Sequence, residues 1–373
     1  MATKSGKSEK LSDRLKQWFK GGKAATFQLQ RNEDFQITDE LLEDLSSVHP
    51  AAHRLRVLDE LKSPVRERRL QSYGVELIYN KIADLLQRDE KEIRHPVWSF
   101  LETLILGQHE RLENYIMRGQ FFRLVKEHPA PFCDDDLVPR LLVLAALTEN
   151  GKDIVHFEEQ MGALLLKTWP LVFQCGHELK FLKMVINMIK FNSAYLDAPI
   201  ISGFVNYTHQ WAIMTKSEEI MRECLQTLDA IVCYSFIPQE ALIVYIQTLC
   251  HMVNVENLCV EAWRIMKNLM GTHLGHSAVY SLSNIINKAH PSDYGAVRGA
   301  VFFIGMGLWS GQRIRKLDYT PRIVLPIYVK SLDCRHPLVV YEVVVNVEKL
   351  TINFGPNLDA LSCDAVMDLL ELL

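Results

Sequence analysis

The feature that most constrains the fold is a short apolar pattern that recurs along the chain. Two adjacent apolar residues are followed by a third, three positions after the second; in one copy Thr227 takes the first place. The second residues of successive copies are Leu58, Leu101, Leu144, Ile186, Leu228, Met266, Phe303 and Val344. These anchors are 43, 43, 42, 42, 38, 37 and 41 residues apart. Near-equal spacing indicates a repeated structural unit.

Each copy of the pattern predicts a helix, because residues spaced three and four apart share one helical face. About 40 residues per repeat leave room for a second helix, and this length matches HEAT and armadillo repeats better than ankyrin or tetratricopeptide repeats. We therefore predict an all-α fold: an α-solenoid of about eight HEAT/armadillo-like helix pairs spanning residues 35–373. Each pair would bury its apolar face only by stacking on its neighbours.

Helix start signals fall where the repeat needs them. Thr38, followed by Asp39 and Glu40, predicts a helix N-cap. Six prolines precede apolar periodic runs and are predicted in first turns, where a missing N–H costs nothing: Pro96, Pro139, Pro199, Pro238, Pro321 and Pro337. Residues 339–347 are rich in β-branched side chains, but their place in the repeat predicts a helix.

Residues 1–34 are predicted to be a basic, flexible tail with a short amphipathic segment. Residues 1–23 carry seven Lys and Arg against two acidic residues, and four apolar residues fall at helical spacing: Leu11, Leu15, Trp18 and Phe19. Two interpretations remain open. The segment is either a basic amphipathic helix in weak contact with an acidic membrane surface or a partner, or a solvated tail, since short isolated helices are marginal.

The last ten residues, 364–373, have an amphipathic helical pattern without a stop signal. A solenoid normally ends in a capping repeat with a polar outer face. We therefore expect the array to be truncated at its C-terminal end, with eight repeats present and a ninth begun. A natural terminus that a partner covers is the alternative.

The composition limits which binding partners and which cellular compartment are compatible with this chain. With 48% hydrophobic and 23% charged residues, the chain can bury a large core. A net charge of −4 argues against nucleic acid as the main partner, because phosphate neutralisation needs clustered cations. The eight cysteines form no CxxC pair, and the polar start is unlike a signal peptide, so we expect reduced thiols in the cytosol or nucleus. Residues 299–309, the longest charge-free apolar stretch, are too short to span a membrane.

The string GTHLGHS at residues 271–277 superficially resembles several chemical motifs. A phosphate-binding loop would have lysine where His276 stands, and a nucleophile elbow would have glycine two residues after Ser277. His273 and His276 have the spacing of two metal ligands, but no Cys, Asp or Glu follows within ten residues to complete a site. We interpret the string as a glycine-containing turn between helices, with the histidines in surface or interface hydrogen bonds.

Other candidate chemistry is equally unspecific. The glycines within residues 299–311 predict close approach between helices, since glycine otherwise weakens a helix. Cys250 and His251 are adjacent and would face different sides of a helix, so they do not predict a catalytic pair. Residues 134–136, three aspartates, are interpreted as a loop that complements a helix dipole. We predict no catalytic residue, no metal site and no cofactor, and hence a non-enzymatic chain.

Three long segments carry a specific resemblance to a known family. KFNSAYLD at 190–197, GTHLGHSAVY at 271–280 and RGAVFFIGMGLW at 298–309 closely resemble the N-terminal region of the tuberin family. LTENG at 147–151 and LDAIVCY at 228–234 are similar to it too. The family comprises the GTPase-activating subunits of the tuberous sclerosis complex, and the resemblance runs from about residue 35 to the end of the chain.

The resemblance implies a HEAT-repeat scaffold that binds the coiled coil of hamartin, the partner subunit. The assembled complex would inactivate the small GTPase Rheb and restrain TOR signalling, acting in the cytoplasm with recruitment to the lysosomal membrane. The family's GTPase-activating domain, through which Rheb is contacted, would lie downstream of this chain. A solenoid adaptor of a Ral-type GAP complex, or another protein-interaction or nuclear-transport-like scaffold, is the alternative.

The resembling segments also supply candidate contacts for a helical partner. They are Asn192, Tyr195, Asp197, His273, His276, Tyr280 and Arg298. For each of these residues, a role in packing or turn formation is the competing interpretation. The sequence alone does not distinguish a residue that binds a partner from one that holds the solenoid together.

Overall fold

The computed structural model describes residues 34–112, 116–127, 136–290 and 292–373. Within these ranges the chain is helical, and the β-structure consists of one parallel bridge between Phe35 and Leu70. The amphipathic segment predicted within residues 1–23 lies outside the described residues.

The long helices alternate between two rows. The first row consists of α2 (Ala51–Glu67), α4 (Lys91–Gly107), α7 (Leu137–Leu147), α9 (Glu178–Asn192), α11 (Glu218–Tyr234), α13 (Cys259–Gly271), α15 (Tyr294–Leu308) and α17 (Pro337–Phe354). The second row consists of α3 (Gly74–Ile82), α6 (Ile116–Glu127), α8 (Glu158–Val172), α10 (Ala198–Met214), α12 (Gln239–Met252), α14 (Gly275–Lys288), α16 (Pro321–Ser331) and α18 (Ala360–Glu371). The short helices are α1 (Asp39–Asp44) and α5 (His109–Leu112). Single 3₁₀ turns occupy Ala83–Gln87, Ser193–Tyr195, Glu256–Leu258, Leu332–Cys334 and Gly355–Asn357.

Most of the long helices pack on the next helix of their own row. In the first row α2 packs on α4 and α4 on α7, while α9 packs on α11, α11 on α13, and α15 on α17. In the second row an unbroken series of contacts runs from α8 through α10, α12, α14 and α16 to α18. One helix from each row makes a repeat, and the described chain contains eight such pairs. The predicted all-α solenoid is confirmed.

The apolar anchors found in the sequence mark the first-row helices. Each of the eight anchors lies in a different helix of that row, and seven of them are at most 6% exposed. The exception is Val344, which is 41% exposed, so its assignment as a core anchor was wrong. Its neighbours Val343 and Val347 are buried instead. Because six of the nine residues 339–347 are valines, the apolar pattern there does not show which residues face the core.

The predicted helix starts are largely confirmed. Thr38 Oγ1 accepts a hydrogen bond from Leu41 N at 3.3 Å, as an N-cap does. Five of the six prolines flank or occupy first turns, but Pro96 lies in the interior of α4, which begins at Lys91. Pro96 removes one backbone hydrogen bond from α4, and the packing of α4 on α2 and α7 keeps this segment helical. Residues 339–347 are helical, as predicted.

The final helix completes the array described by the structure. Helix α18 packs on α16 and is the second member of the eighth pair. The last residues therefore finish the eighth repeat, and the expectation that they begin a ninth was wrong. The amphipathic pattern predicts a helix but does not assign that helix to a row.

Asparagine side chains join successive repeats. Their amide groups donate to backbone carbonyls 37 to 45 residues away, which is one repeat: Asn187 to Asn150 O, Asn254 to Gly295 O, Asn346 to Val301 O and Asn353 to Trp309 O. The donor–acceptor distances lie between 2.8 and 3.3 Å. Buried carbonyls need hydrogen-bond partners, and these amides supply them across the interface between repeats.

Glycines allow three of the helix contacts to be unusually close. A Cβ atom at Gly299 of α15 would overlap the backbone of Cys250 in α12, and one at Gly305 would overlap the Asn346 side chain. A Cβ atom at Gly307 would lie 2.9 Å from Met270 Sδ of α13. The close helix approach predicted from these glycines is confirmed.

We predict that Gly299→Ala lowers the stability of the solenoid by about 2–3 kcal/mol, because the α12 backbone must move to admit a methyl group. The midpoint of urea unfolding, followed by circular dichroism, measures this change. Gly119→Ala is the matched control, since Gly119 is also helical but a Cβ atom there would meet nothing within 4 Å. The control should be neutral or stabilising. Equal effects of the two substitutions would contradict the close approach.

Candidate interaction surface

The seven candidate contact residues lie in three places. Asn192, Tyr195 and Asp197 are at the connection between α9 and α10, in the fourth repeat. His273, His276 and Tyr280 are at the connection between α13 and α14 and in the first turns of α14, in the sixth repeat. Arg298 lies in α15, in the seventh repeat.

Two of the residues in the fourth repeat hold the connection in place. Asn192 Nδ2 donates to Gly151 O at 3.1 Å and to Lys152 O at 3.0 Å, which ties α9 to the preceding repeat. Asp197 is the N-cap of α10 and accepts from Ile200 N at 3.0 Å. Tyr195, by contrast, has about half of its surface exposed. Of the three, Tyr195 is the residue most available to a partner.

The residues of the sixth repeat surround a tight turn. Helix α13 ends at Gly271 and α14 begins at Gly275, so the predicted inter-helix turn is confirmed. His276 Nδ1 lies 3.2 Å from the Tyr319 hydroxyl, a surface hydrogen bond of the kind expected. His273 is exposed, and Tyr280 projects from α14 with 67% of its surface exposed.

Arg298 belongs to a polar network between repeats. Its Nη1 donates to Asn254 Oδ1 at 2.8 Å, and its Nη2 lies 3.4 Å from Glu342 Oε2. Glu342 is buried in α17, and this burial raises its pKa above the ordinary value of 4.5, while the Arg298 cation opposes the rise. Arg298 therefore stabilises a buried carboxylate, which explains its presence without a partner.

Exposed aromatic residues missed by the sequence reasoning extend the surface around Tyr195. Phe191 lies at the end of α9, and Tyr234 and Phe236 take comparable places at the end of α11 in the next repeat. We call Phe191, Tyr195, Tyr234 and Phe236 the aromatic edge; each is between 48% and 61% exposed. Comparing the sequences of the fourth and fifth repeats would have identified two members of the aromatic edge. Tyr195 and Phe236 each directly precede a buried aliphatic residue of the turn.

A charged side chain lies close to the aromatic edge, since Lys152 Nζ is 6.0 Å from the centre of the Phe191 ring. An open cleft of about 560 Å³ lies farther along the same two helices, α9 and α11, towards their N-terminal ends. Its walls include Lys180 and Lys183 from α9 and Glu219 and Glu223 from α11. Burial raises the pKa of Glu223, and the Lys183 cation opposes that rise. A partner helix lying along α9 and α11 would meet aromatic rings at one end and charges of both signs at the other, which suits an amphipathic partner.

The residues considered for catalysis do not form a reactive arrangement. Cys250 is fully buried against Gly299, and this burial raises its pKa well above the ordinary value. His251 points elsewhere, with Nε2 3.8 Å from Asp293 Oδ2. Among the described residues, no three or more His, Cys, Asp or Glu side chains are grouped in a way that could hold a metal ion.

Asp136, the last of the three aspartates, has a larger structural role than the sequence indicated. Asp136 is buried, and it accepts hydrogen bonds from Arg94 Nε at 2.8 Å and from Trp98 Nε1 at 3.4 Å. Burial alone would raise the pKa of Asp136, but the bonds from Arg94 and Trp98 lower it overall. The interpretation of Asp136 as a helix-dipole complement alone was incomplete, because its partners are 38 and 42 residues away.

We predict that Arg298→Met destabilises the solenoid more at high pH than at low pH. The pKa of Glu342 is raised in the folded state, so protonation of this carboxyl favours the folded chain. The resulting stabilisation is complete below the pKa that Glu342 has in the unfolded chain, and it is lost as pH rises through its pKa in the folded chain. Removing the arginine raises that pKa further and leaves a buried carboxylate unpaired. We expect a loss of about 3 kcal/mol near pH 8 and a clearly smaller one near pH 5.

Urea unfolding across this pH range measures the effect. The double variant Arg298→Met/Glu342→Gln should recover most of the loss at high pH, because it removes the unpaired charge. A loss that is independent of pH, or one that the double variant does not relieve, would contradict the assigned pairing.

The comparisons with known proteins agree with this geometry. A solved structure described as the TSC2 N-terminus aligns with a TM-score of 0.67 and 20% identity, covering 89% of this chain and 98% of that one. The tuberous sclerosis 2 protein homolog of Schizosaccharomyces pombe is 24% identical over 247 residues, which is 60% of this chain and 18% of that protein. The chain thus matches less than a fifth of that relative's length. These matches confirm the resemblance to the N-terminal region of the tuberin family.

A protein-family model matches nearly all of the solenoid. It is described as a domain of unknown function (DUF3384), and its match runs over residues 51–371, from the start of α2 to the end of α18. The chain therefore belongs to the DUF3384 domain family.

Proposed function

We propose that this chain is the N-terminal scaffold of a tuberin-like GTPase activator and that it binds the coiled coil of hamartin. The family match and the shared fold support the first part of the proposal. The chain itself is non-catalytic. Inactivation of Rheb, and with it the restraint of TOR signalling, belongs to a GTPase-activating domain outside these residues.

The observation that carries the binding role is the aromatic edge. A partner helix would lay its apolar face on aromatic rings that two successive repeats present side by side. Tyr195 is the member of the edge that is also a candidate contact, and His273 and Tyr280 extend the exposed surface into the sixth repeat. Aromatic residues dominate the energy of many interfaces, and charged rims set their specificity.

The remaining candidates have bonding partners within the solenoid. Asn192 and Asp197 fix the backbone that carries Tyr195, and His276 is bonded to Tyr319. Arg298 stabilises the buried Glu342. Substituting any of these residues would therefore weaken binding by destabilising the solenoid as well as by removing a contact with the partner.

For location, we propose a cytoplasmic complex that is recruited to the lysosomal membrane. None of the described helices combines the length and apolar character required to cross a bilayer. Residues 1–34 would add weak contact with an acidic membrane surface through their lysines and arginines.

We predict that Tyr195→Ser/Phe236→Ser weakens binding to a hamartin coiled-coil fragment at least about tenfold, because loss of central aromatic contacts typically costs more than 1 kcal/mol. Copurification followed by isothermal titration calorimetry measures the affinity. Tyr73→Ser is the control, since Tyr73 is 78% exposed but lies in the first repeat. The control should bind as the unmodified chain does.

Asp197→Asn tests the charge separately, because asparagine keeps the helix cap. A weaker affinity at unchanged thermal stability would assign a contact to the carboxylate. If the unmodified chain fails to bind hamartin but binds the partner subunit of a Ral-type GAP complex, the alternative adaptor role replaces this proposal.

A further inference from the structure

The connection between α15 and α16 is long for this solenoid. It runs over residues 309–320, whereas residues 193–197 suffice between α9 and α10 and residues 272–274 between α13 and α14. Its backbone is held by specific contacts. Ile314 N donates to Gly307 O at 2.8 Å, and Leu317 is buried against Gly275 of the preceding repeat.

Side chains fasten the same connection on both sides. Trp263 Nε1 of α13 donates to Gln312 Oε1 at 3.3 Å, and the Tyr319 hydroxyl lies 3.2 Å from His276 Nδ1. On the other side, the Arg313 guanidinium lies 4.5 Å from the centre of the Phe354 ring of the eighth repeat. This connection is therefore an ordered structure that spans three repeats.

Two cations stand at the tip of a tight turn in this connection. Leu317 N donates to Ile314 O at 3.0 Å, which closes a four-residue turn with Arg315 and Lys316 at its centre. Ile314 is half-buried and Leu317 buried, so the two ends of the turn face the solenoid. Arg315 and Lys316 are exposed.

The cations of this region are not neutralised by the chain. Between residues 310 and 322 the sequence has four cations, Arg313, Arg315, Lys316 and Arg322, and one acidic residue, Asp318. In the part of the chain that the structure describes, Arg315, Lys316 and Arg322 form no ion pair. Charged side chains elsewhere on the surface are often paired, as Arg264 is with Asp229 at 3.0 Å.

Arg322 adds a further positive charge at a position where a helix disfavours a cation. It is the second residue of α16, and the N-terminal end of a helix already carries partial positive charge. A cation in the first turn is thus repelled by the helix and by its basic neighbours. An anion bound there would relieve both repulsions.

We infer that the basic turn, defined as Arg313, Arg315, Lys316 and Arg322, binds an acidic segment of a partner protein. Three of its four cations are arginines, whose planar guanidinium groups accept carboxylates in two-point hydrogen bonding. Ile323, which is 58% exposed and adjacent to Arg322, offers an apolar contact beside the charges.

An acidic protein segment fits this surface better than an anionic membrane. Four cations near an anionic bilayer contribute about 1 kcal/mol each, and stable anchoring to a membrane needs a second signal such as a lipid chain. A short acidic segment interacts only with charges within about 10 Å, where the turn is positive. The inference does not depend on the hamartin proposal, because none of the four cations belongs to the aromatic edge and the test below uses no hamartin.

The test measures binding of a short fluorescein-labelled polyglutamate peptide to the whole chain by fluorescence anisotropy. We expect Arg315→Gln/Lys316→Gln/Arg322→Gln to weaken binding at least about tenfold and to flatten its salt dependence. Arg313 is left intact because it stacks on Phe354. Lys167→Gln/Lys267→Gln/Lys288→Gln is the control, with the same change of net charge at exposed positions in other helices. The control should retain the affinity of the unmodified chain.

A second measurement needs no substitution. Acetylation of Lys316 by acetic anhydride, followed by mass spectrometry, should slow when the peptide is bound, while acetylation of Lys167 should not. The inference is overturned if the peptide does not bind, if the control variant loses as much affinity, or if Lys316 is not protected. It is also overturned if vesicles of phosphatidylcholine and phosphatidylserine bind the turn and polyglutamate does not.

Discussion

Everything in this molecule depends on the stacking of one helix pair on the next. A pair has apolar residues on too many sides to be stable alone, and contact with its neighbours removes them from water. The cluster around Trp169 shows this, since its ring packs on Phe181 of the next first-row helix and on Phe204 and Trp211 of the next second-row helix. Where stacking is closest, as at Gly299, the backbones of two helices are in contact and no side chain fits between them.

Stacking also determines which residues remain for function. The faces between repeats are occupied, so the outer helix surfaces and the edges where the chain turns remain available. At those edges polar residues divide into two groups. Asn192, Asp197 and Arg298 satisfy backbone or buried polar groups of the solenoid. The rings of the aromatic edge and three cations of the basic turn, Arg315, Lys316 and Arg322, have no comparable structural task in the described part of the chain, and this is why the two binding proposals rest on them.

Much of the fold follows from local patterns in the sequence. The spacing of the anchors predicts the repeat length, because each repeat must place an apolar helix face at the same interface. Thr38 predicts a helix start because its hydroxyl can reach a free backbone N–H. Val344, Pro96 and Asp136 could not be placed in the same way. The rotation of a valine-rich helix and the partners of a buried carboxylate depend on residues about one repeat away, and a proline inside a helix is tolerated where packing on neighbouring helices holds that helix.

By itself the sequence determined the helical class, the eight-fold repetition and the interpretation of residues 271–277 as a turn, because these depend on period and on local backbone preferences. Only the tertiary structure decided which conspicuous residues are structural. Asn192 and Arg298 look like surface contacts in the linear chain, yet their partners lie 40 to 44 residues away. The aromatic edge and the basic turn likewise exist as surfaces because stacking brings repeats side by side and fastens the connection between α15 and α16 to its neighbours.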